Sequence, residues 1–236
     1  RVINMILVFP QATNNFNKLF KELVNTNLVD DFLKNSLNSY DFAEIDKVIL
    51  IILEDNEVHN FLNNYLLNSE SVKDFEIITL KKETSGSICT TLMAIPSIKN
   101  DEVIISALDQ FITSDKLKLS KYINKGVVSV ISPIFKSSDP SLCYVLKDDQ
   151  EKVIQLFEKK PVSSEAVLGV YYFENFFQFH KNCHELLKRY KGFKNRTFFT
   201  SDVINSYLGE NETCKFPLIN ASYKKIRSVD DMLEII

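Results

Sequence analysis

Four stretches of this 236-residue sequence carry side chains able to do chemistry together. Asp109 stands just past an apolar run over residues 103–108. A carboxylate at the end of a buried strand is a place where a divalent cation and phosphates meet, although a plain turn aspartate looks the same. Glu83-Thr84-Ser85-Gly86-Ser87 comes directly before a helix. Small residues and free amides there suit the close approach of a polar or anionic ligand, and equally a helix cap with its turn glycine. Pro10-Gln11-Ala12-Thr13-Asn14-Asn15-Phe16-Asn17-Lys18-Leu19-Phe20 joins the first strand to the first long helix, and Glu158-Lys159-Lys160-Pro161 puts both signs of charge at a strand end. Apart from Arg1, no arginine precedes Arg189. A phosphate bound by the first three-quarters of the chain must therefore rely on lysine, hydroxyls, backbone amides or a metal.

The elements around these stretches would bring them to one edge. A continuous apolar run over 2–9 reads as a strand covered on both faces, a continuous β-branched run over 47–53 as a second, and 75–80 and 102–108 as a third and fourth, with helices over 28–37, 57–67 and 87–95, the last stopping before Pro96. Strands separated by helices of this length imply βαβ units and a mainly parallel sheet, whose strand C-termini share a ligand-binding edge. The second half changes character. Strands are expected over 126–132 and 166–173, a hairpin over 142–147 and 152–158 around Asp148-Asp149-Gln150-Glu151, and helices over 176–190 and 201–208. A short strand near 215–219 and a helix from about Val229 close the chain. The expectation is one continuous domain over 1–236, its hairpin region set apart as a lobe.

Composition excludes several function classes. The apolar fraction is 45%, the charged fraction 25% and the net charge −3, with both signs interspersed, which argues against a general nucleic-acid binder. The four cysteines are far apart and read as reduced thiols. No apolar stretch has the length of a membrane span, and the N-terminal run is too short for a signal segment, so a cytoplasmic protein is expected and the three glycosylation sequons are chance matches. His180, Cys183 and His184 have zinc-like spacing, but no second pair of ligands accompanies them, so a helix surface with one buried thiol is the better reading. No Gly-x-Ser-x-Gly elbow is present. The aromatic run 171–179 reads as core, and Lys191, Lys194 and Arg196 as a solvated loop.

Taken in order, the motifs resemble those of the nucleotidyltransferases that make NDP-sugars and CDP-activated compounds, over most of the chain. Glu83-Thr84-Ser85-Gly86-Ser87-Ile88-Cys89-Thr90-Thr91-Leu92 resembles the Ser/Thr-Gly segment that approaches the base. The run from Val103 to Gln110 resembles the strand presenting the metal-binding aspartate. Leu142-Cys143-Tyr144-Val145-Leu146 with Phe157-Glu158-Lys159-Lys160-Pro161 is similar to the substrate hairpin and its Glu-Lys-Pro, and Ala166-Val167-Leu168-Gly169-Val170-Tyr171-Tyr172-Phe173 to the strand that follows. Asn17-Lys18-Leu19-Phe20 matches Pro-Lys-Pro-Leu, which would make Lys18 the phosphate-binding lysine; a solvent-facing residue at a helix start is its alternative. Two places depart from the pattern. Ala12-Thr13-Asn14-Asn15-Phe16 has neither the glycines nor the arginine of the family's triphosphate loop, and Ile226-Arg227-Ser228-Val229-Asp230-Asp231 replaces its C-terminal Gly-Thr.

The resemblance implies a mixed, mainly parallel α/β fold of the GT-A-like kind and transfer of a nucleoside monophosphate from an NTP to a small phosphorylated substrate. That substrate would be a sugar phosphate or polar alcohol phosphate used in surface-glycan precursor synthesis. It implies a nucleotide-binding half over 1–110 and a substrate-side half over 111–236, Lys18 and Asp109 as catalytic residues and Mg²⁺ on Asp109. Pro10, Gln11, Ala12, Thr13, Asn14, Ser85, Gly86 and Ser87 would bind nucleotide; Tyr144, Glu158, Lys159 and Gly169 would bind substrate. No nucleic-acid or membrane partner is expected, and a homo-oligomer is left open. The rival is a catalytically degenerate relative acting as a binding or regulatory partner. A glycosyltransferase of similar architecture is weaker, because Gln110-Phe111 follows Asp109 in place of an Asp-x-Asp motif.

Overall fold

A computed structural model describes residues 4–99, 101–113, 119–191, 195–210 and 212–235. Residues 2–3 of the first apolar run, Lys194 and the sequon asparagine Asn211 lie outside them. The first half alternates as expected: β1 (Met5–Pro10), α1 (Asn14–Asn25), α2 (Val29–Asn38), β2 (Lys47–Leu53), α3 (Asn56–Leu67), β3 (Phe75–Leu80), α4 (Ser87–Thr91) and β4 (Glu102–Ser106). The second half adds β5 (Gln110–Thr113), β6 (Val130–Ile131), β7 (Ile134–Lys136), β8 (Cys143–Lys147), β9 (Val153–Glu158), β10 (Glu165–Val167) and β11 (Val170–Phe173). It ends with α5 (Phe176–Arg189), α6 (Thr200–Gly209), β12 (Cys214–Lys215), β13 (Ser222–Lys225) and α7 (Val229–Leu233).

Seven strands form the main sheet in the order β12-β6-β11-β4-β1-β2-β3. β1 runs parallel to β2 and β4, and β2 to β3, so the ends at Pro10, Leu53, Leu80 and Ser106 share one edge. β11 enters antiparallel beside β4, which brings its first residues to that edge. The continuous apolar runs have a direct cause: Leu7 and Phe9 of β1 face one core, while Ile6 and Val8 face another. β2 divides in the same way, with Val48, Leu50 and Ile52 on one side and Ile49, Ile51 and Leu53 on the other. A strand buried on both faces has no polar alternation to show. A four-stranded antiparallel sheet, β7-β10-β8-β9, carries the expected hairpin, and β13 pairs with β5 in a two-stranded sheet.

Four expectations are corrected. Residues 14–25, read as part of a connecting loop, form α1: Thr13 Oγ1 accepts from Phe16 N–H, and Phe16, Leu19, Phe20 and Leu23 are buried at helical spacing. The helix expected over 87–95 is α4, only five residues long, followed by a 3₁₀ segment, Leu92–Ser97, that contains Pro96. The strand expected over 166–173 is two strands, β10 and β11, broken at Gly169, whose φ is +77°. Of the strand expected over 126–132, only Val130–Ile131 pairs as β6.

Candidate functional site

The segment after β1 turns straight into α1, and its amides are already engaged. Gln11 N–H donates to Ile51 O at 2.8 Å, and Thr13 N–H to Gln11 O at 2.7 Å. Asn14 N–H donates to Glu83 Oε1 at 2.6 Å. That carboxylate sits where the first turn of a 12-residue helix would attract an anion. Gln11 and Ala12 are buried and Pro10 partly covered, leaving Thr13 and Asn14 exposed. No residue from 10 to 14 has positive φ, so the tight glycine bend of a triphosphate loop is absent here. Lys18 projects from α1 with a side chain 78% exposed, its ion-pair partner being Glu22 one turn on, at 3.9 Å.

Asp109 has a different surrounding. Its side chain is 17% exposed and pairs with Lys225 Nζ through Oδ2 at 3.3 Å, while Oδ1 is buried with no hydrogen-bond partner among the described residues. Lys18 and Asp109, expected to act together, are thus each engaged with another residue. Mg²⁺ needs a near-octahedral set of oxygens, usually with one or two protein carboxylates among them. Among the described residues no group of three His, Cys, Asp or Glu side chains could hold a metal. A second cation on Asp109 would meet the ammonium, whose repulsion of a divalent ion at 4 Å, roughly 8 kcal/mol at an effective dielectric of about 20, offsets the attraction of the single carboxylate at the same range. The residues at Asp109 do not fit Mg²⁺.

The other two predicted segments are brought together by a stretch that sequence reading treated as a simple helix start. Gly86 has φ +113°, and a Cβ there would lie 2.3 Å from Phe198 O. Phe198 N–H donates to Ser85 O at 2.8 Å, and Thr200 Oγ1 lies 3.3 Å from Ser87 Oγ. The next residue, Ser201, donates through Oγ to Glu158 Oε2 at 3.1 Å, and Lys159 Nζ sits 5.3 Å from the centre of the Phe199 ring. Residues 198–201 therefore bridge the Ser-Gly-Ser and Glu-Lys segments. Arg196, expected in a solvated loop, stacks 3.8 Å from the Tyr190 ring centre and pairs with Asp202 at 3.0 Å.

Two of the expected substrate residues are enclosed. Tyr144 is fully buried and its hydroxyl donates to Asp139 O at 2.8 Å, which leaves no face for a ligand. Gly169 is covered by Gln110: a Cβ at Gly169 would lie 2.6 Å from Gln110 Oε1, and Gly169 O accepts from Gln110 Nε2 at 3.1 Å. Lys159 is exposed at the end of β9, with φ +55°, a conformation that costs a side-chain-bearing residue about 1 kcal/mol or more. Tyr171 and Tyr223, which sequence reading did not assign to the site, are electrostatically coupled to Glu158 and Asp109 respectively. Burial raises both phenols; Glu158 adds to the shift at Tyr171 and Asp109 to that at Tyr223. Tyr171 was legible in its strand motif, whereas Tyr223 and Lys225 have no local signal. Two cavities of about 440 and 420 Å³ lie elsewhere, beside Tyr65 at the opposite edge of the sheet.

Glu158 supplies a pH test. Burial raises its carboxyl above the ordinary range, against opposing contributions from Ser201 and Lys159. The folded chain therefore holds a proton that the unfolded chain has released, and stability falls as pH rises from the ordinary carboxylate range through the raised folded value. Glu158→Gln should melt close to wild type at about pH 4, gain on it as pH rises through the raised folded value, and hold a level advantage above that. A constant difference across that range would remove burial as the governing cause.

No protein-family model matches the sequence, and the search of curated proteins found no match. Solved structures do match. A nucleoside-diphosphate-sugar pyrophosphorylase from Vibrio cholerae RC9 superposes with a TM-score of 0.77 over 98% of each chain at 16% identity. The inositol-1-phosphate CTP transferase from T. maritima gives 0.69 over 98% of this chain and 92% of that one at 15% identity. A Bacillus anthracis protein assigned as a glucose-1-phosphate thymidylyltransferase, in complex with sucrose, gives 0.71 over 99% and 93% at 14% identity. At these identities the likeness is one of fold, and the chain has the mixed, mainly parallel α/β fold that these nucleotidyltransferases share.

Proposed function

We propose that this chain binds a small phosphorylated ligand, a sugar phosphate or polar alcohol phosphate, and no longer transfers a nucleotide to it. The observation that carries this reading is Glu83: its carboxylate holds the Asn14 amide at 2.6 Å, where an NTP would need its phosphates met by positive groups. A triphosphate brought there would face a fixed negative charge, no glycine bend and no arginine. The acceptor side is better kept. Lys159 is exposed beside Glu158, and Tyr171 and Tyr223 are electrostatically coupled to Glu158 and Asp109, the latter paired with Lys225. On this reading residues 111–236 supply the ligand side, and residues 1–110 keep the shape of a nucleotide-binding half. A binding or regulatory role in the cytoplasm, alongside enzymes that make surface-glycan precursors, follows from the resemblance. No helix among the described residues is long and apolar enough to cross a membrane.

Nucleotidyl transfer is the second reading, favoured by the TM-score of 0.77 and by a carboxylate held just past β4. In it the ligand's phosphate would attack the α-phosphorus of an NTP and expel pyrophosphate. Lys18 would have to leave Glu22, and Asp109 would have to leave Lys225. Thermal melts separate the two. A hexose 1-phosphate at about 100-fold over its Kd should add roughly 2.7 kcal/mol, or some 5–10 °C, and Lys159→Ala should lose that shift. CTP, UTP, GTP, ATP and dTTP with Mg²⁺ should each move the midpoint by less than about 1 °C and release no pyrophosphate. A saturable shift by one NTP with pyrophosphate release would replace binding by transfer.

A further inference from the structure

The cation expected beside Asp109 has a rival built into the chain. The β5–β13 ladder pairs Lys225 with Gln110 and Lys224 with Phe111, and Ile226 N–H donates to Asp109 O at 2.8 Å. Both backbones are fixed on either side of the ion pair, so the 3.3 Å approach of Lys225 Nζ to Asp109 Oδ2 is set by the fold. It is not a chance meeting of two long surface side chains. The Lys225 side chain is 37% exposed against 17% for Asp109 and is the more solvent-accessible member of the pair. The neighbouring base Arg227 is directed elsewhere, donating to Ser141 Oγ at 2.9 Å.

From these contacts we infer that the Lys225 ammonium takes the place of a divalent cation at Asp109. A lysine ammonium has three N–H donors. One direction goes to Asp109, and the partial exposure leaves the others able to reach an anionic oxygen. Tyr223 and Tyr40 lie close to the carboxylate and are neutral, burial having raised both phenols. Neither supplies the further anionic oxygen that a metal would need. The inference concerns the cation alone and holds whether or not a phosphorylated ligand binds, so a missing hexose-phosphate shift would sink the proposed function and leave it standing.

The test uses Mn²⁺ alone, with free Mn²⁺ followed by electron paramagnetic resonance against the full chain. Wild type should leave Mn²⁺ free into the millimolar range. Lys225→Asp places two carboxylates where a pair now stands and should bind at least about ten-fold more tightly, a gain that Lys225→Asp/Asp109→Asn loses. Should Lys225→Asp fail to melt cooperatively, Lys225→Ala takes its place with an expected gain of several-fold. Submillimolar Mn²⁺ binding by wild type that Asp109→Asn abolishes would overturn the inference. So would a folded Lys225 variant that binds Mn²⁺ no better than wild type.

Discussion

Replacing Gly86 by alanine should lower the thermal midpoint by about 10 °C. The residue has φ +113° and ψ 176°, a region essentially reserved for glycine, and holding alanine there costs roughly 1–3 kcal/mol. The added Cβ would also lie 2.3 Å from Phe198 O and 2.7 Å from Phe198 N, both backbone atoms that cannot rotate away. Relief must come from moving residues 198–201 or from bending the turn, so about 3–4 kcal/mol in all is expected. A chain of this size loses some 2–4 °C per kcal/mol. The consequence reaches beyond stability, because Ser201 on the same stretch holds Glu158 and Phe199 lies under Lys159. Alanine at 86 should therefore also weaken hexose-phosphate binding at temperatures where the variant is folded. A midpoint within about 2 °C of wild type would show that the Gly86–Phe198 approach is not obligatory.

Much of residues 1–110 was legible because β1, β2 and β4 are buried on both faces. β2 and β3 fall where the runs 47–53 and 75–80 placed them, and α2 and α3 within a residue of expectation. α1 was missed although its signal was present. Thr13 caps it, and Phe16, Leu19, Phe20 and Leu23 repeat at helical spacing, but the segment was read against a loop pattern that it does not follow. Lys18, whose alternative reading was a solvent-facing residue at a helix start, is the fifth residue of α1 and faces solvent.

The site residues that escaped notice share a physical cause. β5 and β13 are four residues each, mixed in polarity, and gain their strand identity only by pairing with each other across the length of the chain. Nothing local marks Lys225 as the partner of Asp109; the antiparallel register does. Phe198–Ser201 likewise holds the Ser-Gly-Ser and Glu-Lys segments by contacts more than 40 residues apart in sequence. Glu158 and Lys159 were readable as a charged strand end, and the structure keeps that position. Tyr144 and Gly169 also occupy their motif positions, but the family-like strand around them is packed from both sides.

The packing over Gly169 leads to the second large effect. Ser106 Oγ accepts from Tyr40 Oη at 2.6 Å and from Gln110 Nε2 at 2.5 Å, and donates to Gly169 O at 3.0 Å. All three of its hydrogen-bonding positions are used inside the protein. Burial, set against these bonds, pushes the Tyr40 phenol up to about 12, so it stays a neutral donor with Ser106 as its acceptor. Ser106→Ala leaves that hydroxyl buried without this acceptor and releases Gln110 from one of its two bonds, at a cost of about 3 kcal/mol, or roughly 8 °C. Tyr40→Phe alone should cost only about 1 kcal/mol, since Ser106 keeps its bonds to Gln110 and Gly169. The double variant should then be more stable than Ser106→Ala by about 1 kcal/mol, because the orphaned hydroxyl is gone. Denaturant unfolding of the four proteins closes the cycle. Strict additivity, within about 0.5 kcal/mol, would mean that Tyr40 and Ser106 are not coupled through their hydrogen bond.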